Sequence, residues 1–344
     1  MGGRKLSIVA MKRKYVIPYI IALLSGSCLV GVLLFLWNRY RQPDYLLEAT
    51  ATAVVLEGGV IQNPYSSLSV PTQINKIGED YFLVDCYHNQ IQTSTSLDTP
   101  LEEWYVVTDQ LSRGHTIAGD GTVYLADDTE NNRILIFEKD NQHFYLTQTF
   151  EDIGIRPHYI VYDENDKRFY ALSSMTGELY VFYRRNESSD VLLEKVLSVP
   201  ELNNVYVRSF TIDNNDIYFV ACNGTILRTR KKDLTVLERW SVPAEYAGMV
   251  QISKIQNYFY ITVSTDIAGN ADYATIIRVR DLAQLADTPP ESLYPYFTQG
   301  GTPYYISYFD DAYFLTQHCM IPGTGVWRFQ VTDDGLDDIQ VLYP

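Results

Sequence analysis

Two copies of an Arg-x-His triplet, Arg113-Gly114-His115 and Arg156-Pro157-His158, are the residues of this chain best suited to chemistry. An imidazole titrates near neutral pH and ligates metals, and a guanidinium clamps carboxylate or phosphate oxygens through a planar fork. An aspartate within reach can orient either group, and Asp127 follows the first triplet closely. Acid–base catalysis would fall to His115 and His158. A divalent metal would need three convergent ligands, and His115, His158 and His318 are the histidines that could start such a set. Other catalytic signatures are missing: the sequence has no nucleophile elbow, no phosphate loop and no His-Glu-x-x-His. The Asp-rich stretches at 213–216 and 333–338 lack the spacing of a calcium loop and read as hairpin turns.

What would bring these residues together is a repeat. An aromatic or aliphatic-aromatic pair opens a short alternating strand at Tyr81-Phe82, Val123-Tyr124, Phe169-Tyr170, Ile217-Tyr218, Phe259-Tyr260 and Tyr313-Phe314. The second members are spaced by 42, 46, 48, 42 and 54 residues. Before each pair, across a polar turn, lies an apolar residue of an earlier strand: Ile74, Ile117, Ile160, Phe210, Ile252 and Ile306. A third and a fourth strand follow, as in Arg133–Phe137 and Phe144–Thr147. Four antiparallel strands per about 45 residues make one blade of a β-propeller. A single blade cannot bury both faces of its sheet, whereas six in a ring can. The expected fold class is therefore all-β, a six-bladed propeller over residues 70–344. A sandwich or solenoid is the alternative.

In such a ring the first strand of each blade lines a central channel and runs opposite to the second. Two residues before the apolar positions stand Thr72, His115, His158, Arg208, Val250 and Tyr304, with Arg113 and Arg156 two further back. Second strands end on the same face at Asp85, Asp127, Asp128 and Gln317, with His88 and His318 just beyond. The loops Asp266–Asp272 and Met320–Gly325 rise from that face too. The expected ligand site is thus a channel mouth built from Arg113, His115, Arg156, His158, Arg208, Tyr304, His318 and Asp127. Polar residues in such a funnel also serve simply to satisfy backbone groups between blades.

The second repeat, residues 114–137, carries a small-residue turn and the segment Asp128-x-x-Asn131-x-Arg133-Ile134. This resembles an NHL repeat, and Arg156-Pro157-His158-Tyr159-Ile160 is similar to six-bladed propellers of the NHL, TolB-like and lactonase type. The resemblance implies the fold across the domain. It also weighs against a lactonase-like metal enzyme, because no glutamate falls in the first strands, where those enzymes carry a ligand.

Ahead of the repeats, residues 15–37 run without a charge. That length crosses a hydrocarbon core of about 30 Å as a helix. Five basic residues precede it and Arg39 and Arg41 follow, which places the tail 1–14 in the cytoplasm and everything after the span outside. No small-residue cleavage site closes the run, so an uncleaved anchor is expected, followed by a stalk over 38–69. Translation could begin at Met1 or at Met11. Beyond residue 41 the chain holds 20 basic and 42 acidic side chains, a net −22. Such a body repels phosphate backbones and excludes nucleic acid as a partner. Cys86, Cys222 and Cys319 form no metal-like spacing and read as small buried hydrophobes.

The function expected from all this is a membrane-anchored extracytoplasmic binding or scaffold module for a peptide, glycan or envelope protein. The alternative is a membrane-tethered hydrolase or lyase with a His-lined mouth. No cofactor is implied, a divalent metal at the histidines being the one addition they leave open.

Overall fold

The computed structural model describes residues 54–55, 60–186, 188–297, 301–318 and 325–343. The tail 1–14, the span 15–37, Cys28, Cys319 and the loop 320–324 lie outside them. Among the described residues no helix is long and apolar enough to cross a membrane.

The repeats fold as six antiparallel sheets, one per repeat. Blade 1 comprises Pro71–Ile77, Asp80–Asp85, Gln90–Ser94 and Tyr105–Thr108; blade 2, Ile117–Gly119, Val123–Asp128, Arg133–Asp140 and His143–Phe150. Blade 3 comprises Pro157–Asp163, Arg168–Ser173, Glu178–Arg184 and Val191–Ser198; blade 4, Val207–Asp213, Asp216–Ala221, Thr225–Arg230 and Val236–Ser241. Blade 5 comprises Gly248–Ile255, Tyr258–Thr265, Thr275–Val279 and Glu291–Ser292; blade 6, Thr302–Phe309, Ala312–His318, Val326–Thr332 and Gly335–Tyr343. The Asp-rich stretch 213–216 spans a hairpin turn of blade 4, whereas in 333–338 only Asp333 and Asp334 make the turn and Asp337 and Asp338 lie in the outer strand of blade 6.

The recurring pair has a simple physical origin. Adjacent strand residues point to opposite faces, so one member serves each neighbouring blade. Tyr170 packs with blade 4 while Phe169 packs with blade 2; Phe314 packs toward blade 1 while Tyr313 packs with blade 5. Six apolar clusters result, one at each interface. Blade 2 is out of phase by one residue: Val123 faces blade 3 and Tyr124 faces blade 1. The matching pair there is Tyr124-Leu125.

The ring closes without a shared strand. Gly335–Tyr343 is the outer strand of blade 6, and Val54–Val55 with Ile61–Gln62 extends blade 1 outward from Tyr105–Thr108. Blades 6 and 1 are held by packing instead. Trp104, fully buried, meets Tyr343 edge-on at 5.5 Å, and Thr316 Oγ1 donates to the Thr72 carbonyl at 2.8 Å.

A second device recurs on the face where first strands end. An acid of one blade pairs with a base of the next at five interfaces: Asp80–Lys139, Asp120–Arg184, Asp163–Lys231, Asp213–Lys254 and Asp310–Lys76. Partly exposed pairs of this kind contribute about 0–1 kcal/mol each. Blades 5 and 6 show no such pair among the described residues; deeper in the ring Gln251 joins them, accepting from the Ile306 N–H at 2.6 Å and donating to its carbonyl at 3.1 Å, as Gln73 accepts from the Ile117 N–H at 2.8 Å between blades 1 and 2.

Candidate functional site

The first strands of blades 1, 3, 4, 5 and 6 each break register near their start, leaving Thr72, His158, Arg208 and Val250 as extra residues and setting the pair Tyr304-Tyr305 against the single residue Thr316. A bulge of this kind re-aims a side chain that regular pleating would send elsewhere. In blade 2 the first strand has only three residues, and the Asp127 carboxylate holds the two before it in place of the ladder.

Six of the eight expected site residues meet at this end of the channel, His115, His158, Tyr304 and Asp127 buried and Arg208 and His318 half-buried. His115 and His158 stack at 3.7 Å between ring centroids. Tyr304 lies 5.9 Å from His115, 6.4 Å from His158 and 5.7 Å from His318. The Arg208 guanidinium lies over the face of Tyr206, with its centre 5.3 Å from the ring centroid, and donates to Ser264 Oγ. Arg113 stands over Tyr87 at 3.8 Å, Arg156 pairs with Glu130 at 2.7 Å, and both side chains are half-buried at the rim.

The network assigns the protons. Tyr305 donates its hydroxyl to the Arg208 carbonyl at 3.2 Å, so its oxygen accepts from His158 Nδ1, also at 3.2 Å. His158 Nε2 then accepts from the Tyr206 hydroxyl at 3.0 Å, with Tyr304 at 3.4 Å. His115 Nδ1 lies 3.0 Å from Thr129 Oγ1, and its Nε2 lies 3.7 Å from Cys86 Sγ. Both rings are therefore neutral and fully engaged. Among the described residues no three His, Cys, Asp or Glu side chains are grouped to hold a metal. Asp127, fully buried, accepts from the His115 and Thr116 amides at 2.9 and 2.7 Å and from the Thr116 and Thr129 hydroxyls at 2.7 and 2.8 Å. Its role in the fold is to brace the first triplet.

Burial disfavours the charged imidazole at each of these sites. It lowers His115 against the opposing pull of Asp127, and drives His158 well down, helped by His115 and Arg208. His318 is brought to about 4, by burial first and then by Arg208 and His115. A folded-state pKa below the unfolded value near 6.5 means the unfolded chain binds protons first. The stabilisation is complete above that pH and is lost as pH falls toward 4. Each histidine adds up to about 1.4 kcal/mol per pH unit to that slope. Urea titrations at pH 7, 6 and 5 should show the loss, and His158→Gln should flatten it. An equal slope in the variant would contradict the assignment.

The sequence reading overlooked the opposite mouth. A cavity of about 450 Å³ opens there among blades 3 to 6, walled by Tyr159, Tyr162, Phe210, Tyr308 and Tyr313. Its lining charges, Asp163 and Lys254, are taken up by Lys231 and Asp213. The last residues of first strands, not their starts, carried the signal. Among other residues singled out, His88 stacks on Tyr65 at 3.6 Å and reaches Asp85 at 2.8 Å, and Cys86 and Cys222 are free thiols.

No protein-family model matches the sequence, and no curated relative matches it. Solved structures do resemble it. A candidate 6-phosphogluconolactonase from Bacteroides uniformis is 10% identical, with a TM-score of 0.55 over 82% of this chain and 91% of its own. Another from Bacteroides fragilis is 9% identical, at 0.51 over 85% and 82%. Hydrazine synthase from Kuenenia stuttgartiensis is 12% identical, at 0.53 over 80% of each chain. At such identities the likeness shows the propeller fold and nothing of the chemistry.

Proposed function

We propose that this six-bladed β-propeller is a membrane-anchored, extracytoplasmic binding module of the NHL or TolB-like type, taking a peptide, glycan or envelope protein at the mouth ringed by Arg113, Arg156 and Arg208. The charge-free span 15–37 anchors it, with residues 1–14 in the cytoplasm. The observation that carries this reading is the saturation of His115 and His158. With every ring nitrogen engaged and both rings buried, they form the floor of the mouth, and the arginines are left to meet a partner. The NHL assignment draws support from blade 2, where Asp128 accepts from Asn131 at 3.0 Å and Arg133 at 2.6 Å, so its three signature side chains act as one loop clasp.

A hydrolase or lyase is the second reading, favoured by one contact: His115 Nδ1 lies 3.7 Å from Asp127 Oδ2, the kind of pairing that orients a general base. The test is cross-linked capture from membranes by the full chain and by its Arg113→Gln/Arg156→Gln/Arg208→Gln variant, with elemental analysis alongside. The binding reading expects a defined partner lost with the arginines and no stoichiometric metal. Unchanged capture removes this mouth from consideration, and metal lost on His158→Ala favours the enzyme.

A further inference from the structure

We propose that the arginine rim is a site for an oxyanion, a carboxylate or phosphate group carried by the ligand. This rests on the binding reading and adds the chemistry that the partner must present. Three observations converge on it.

The first is backbone. Arg113 and Arg156 both adopt the left-handed conformation, each at φ 59°. For a residue with a long side chain that conformation is unfavourable, and glycine or asparagine would adopt it at less cost. Both turns are built alike. The Arg113 amide donates to Asn89 Oδ1 at 3.1 Å and the Arg156 amide to Asn132 Oδ1 at 2.8 Å. Each asparagine belongs to the preceding blade and is itself left-handed, at φ 55°. The fold thus twice supplies a clasp that would hold any residue's amide, and twice places an arginine in it. What arginine adds is its guanidinium.

The second is charge. Every nearby carboxylate is already committed. Asp85 accepts from the Ser69 and Val70 amides and from His88. Asp127 holds the four donors described above. Asp128 accepts from the Ser112 amide, Asn131 and Arg133. Arg113 and Arg208 have no carboxylate partner among the described residues, and Arg156 has only the half-exposed Glu130, a pair that is readily exchanged. Hydrogen bonds from neutral amides and hydroxyls do not cancel a carboxylate's charge, so what Arg113 and Arg208 lack is a carboxylate in direct contact rather than balancing charge elsewhere in the mouth.

The third is burial. Arg208 is half-buried with a hydroxyl and an aromatic face for company. A guanidinium withdrawn from water without a counter-ion is costly, and an incoming anion relieves that cost. It sits at a bulge, which sets its direction, and it shares the mouth with Arg156, whose charge acts on His115, His158 and Tyr206 together with its own.

The experiment uses the full chain in detergent. Citrate supplies carboxylates and inorganic phosphate supplies phosphoryl oxygens, each titrated against chloride at equal ionic strength while the melting temperature and calorimetric affinity are read. Either anion, but not chloride, should raise the melting temperature, and the better of the two identifies the group. Arg208→Gln should weaken the affinity at least about tenfold. Arg113→Gly and Arg156→Gly are the sharper variants. They relieve the unfavourable φ and so should keep or raise the melting temperature of the free protein while weakening the anion. A loss of folding without a change in anion affinity would overturn the proposal. So would the absence of any response to either anion at tens of millimolar, or a response unaffected by all three variants. Failure here with partner capture intact would leave the binding reading standing on other contacts. Anion binding that the three variants abolish, joined to turnover, would refute the binding reading and keep this site.

Discussion

Replacing Asp127 with alanine is expected to cost about 3–5 kcal/mol of folding stability, because several buried neutral donors lose their acceptor at about 1–3 kcal/mol each before relaxation. The side chain is fully buried and receives four donors, two backbone amides and two hydroxyls. Alanine would orphan all of them at once, and buried orphans are expensive. Asparagine keeps the shape but sets its own amide hydrogens against donors already pointing inward, so it should recover part of the loss. Urea denaturation at pH 7 reads the change as a shift in midpoint at constant slope. A loss below about 1 kcal/mol would contradict the bracing role. It would return Asp127 to consideration as a partner of His115 in chemistry.

The second large effect belongs to the seam between blades 6 and 1. Trp104→Ala should cost about 3–5 kcal/mol, the range for emptying a large aromatic site in a core. Trp104 is completely buried, meets Tyr343 edge-on, and shares a cluster with Ile74, Leu83 and Phe314. Its indole N–H donates to the Thr99 carbonyl at 3.1 Å. Against a typical total of 5–15 kcal/mol this is a large fraction. The loss should also be localised: hydrogen exchange should quicken in the outer strands of blades 1 and 6 before blades 3 and 4 respond. Uniform acceleration around the ring would show that the seam is no weaker than the other interfaces.

Much of the fold could be read from the sequence because its cause is local. A sheet buried on both faces needs two large apolar residues side by side in each second strand, and Phe169-Tyr170 or Tyr313-Phe314 announce that need directly. Blade 2 misled by one step because Val123 extends the apolar run and hides that Tyr124-Leu125 is the matching pair. The grouping of the mouth residues was also legible, since Thr72, His158, Arg208 and Tyr304 share one position in the repeat. Their environment was not. The proton on His158 depends on Tyr206 and Tyr305, which lie in other blades and come near only when the ring closes. The bulges that carry these residues leave no mark in a pattern of alternation, and neither does the left-handed turn at Arg113. The second cavity was missed for a different reason: its walls are ordinary tyrosines whose significance lies only in their convergence.

That the two ends of the ring exchange no strand has a consequence for how the chain matures. Each wedge is woven entirely from one uninterrupted stretch, so it can be completed in order as synthesis proceeds, with no early strand held open for a late one. The final step is then a docking of finished surfaces, and the place where the circle begins is a matter of chain connectivity alone. Joining the two termini and cutting at another loop would move the seam to a different pair of wedges and leave every sheet whole.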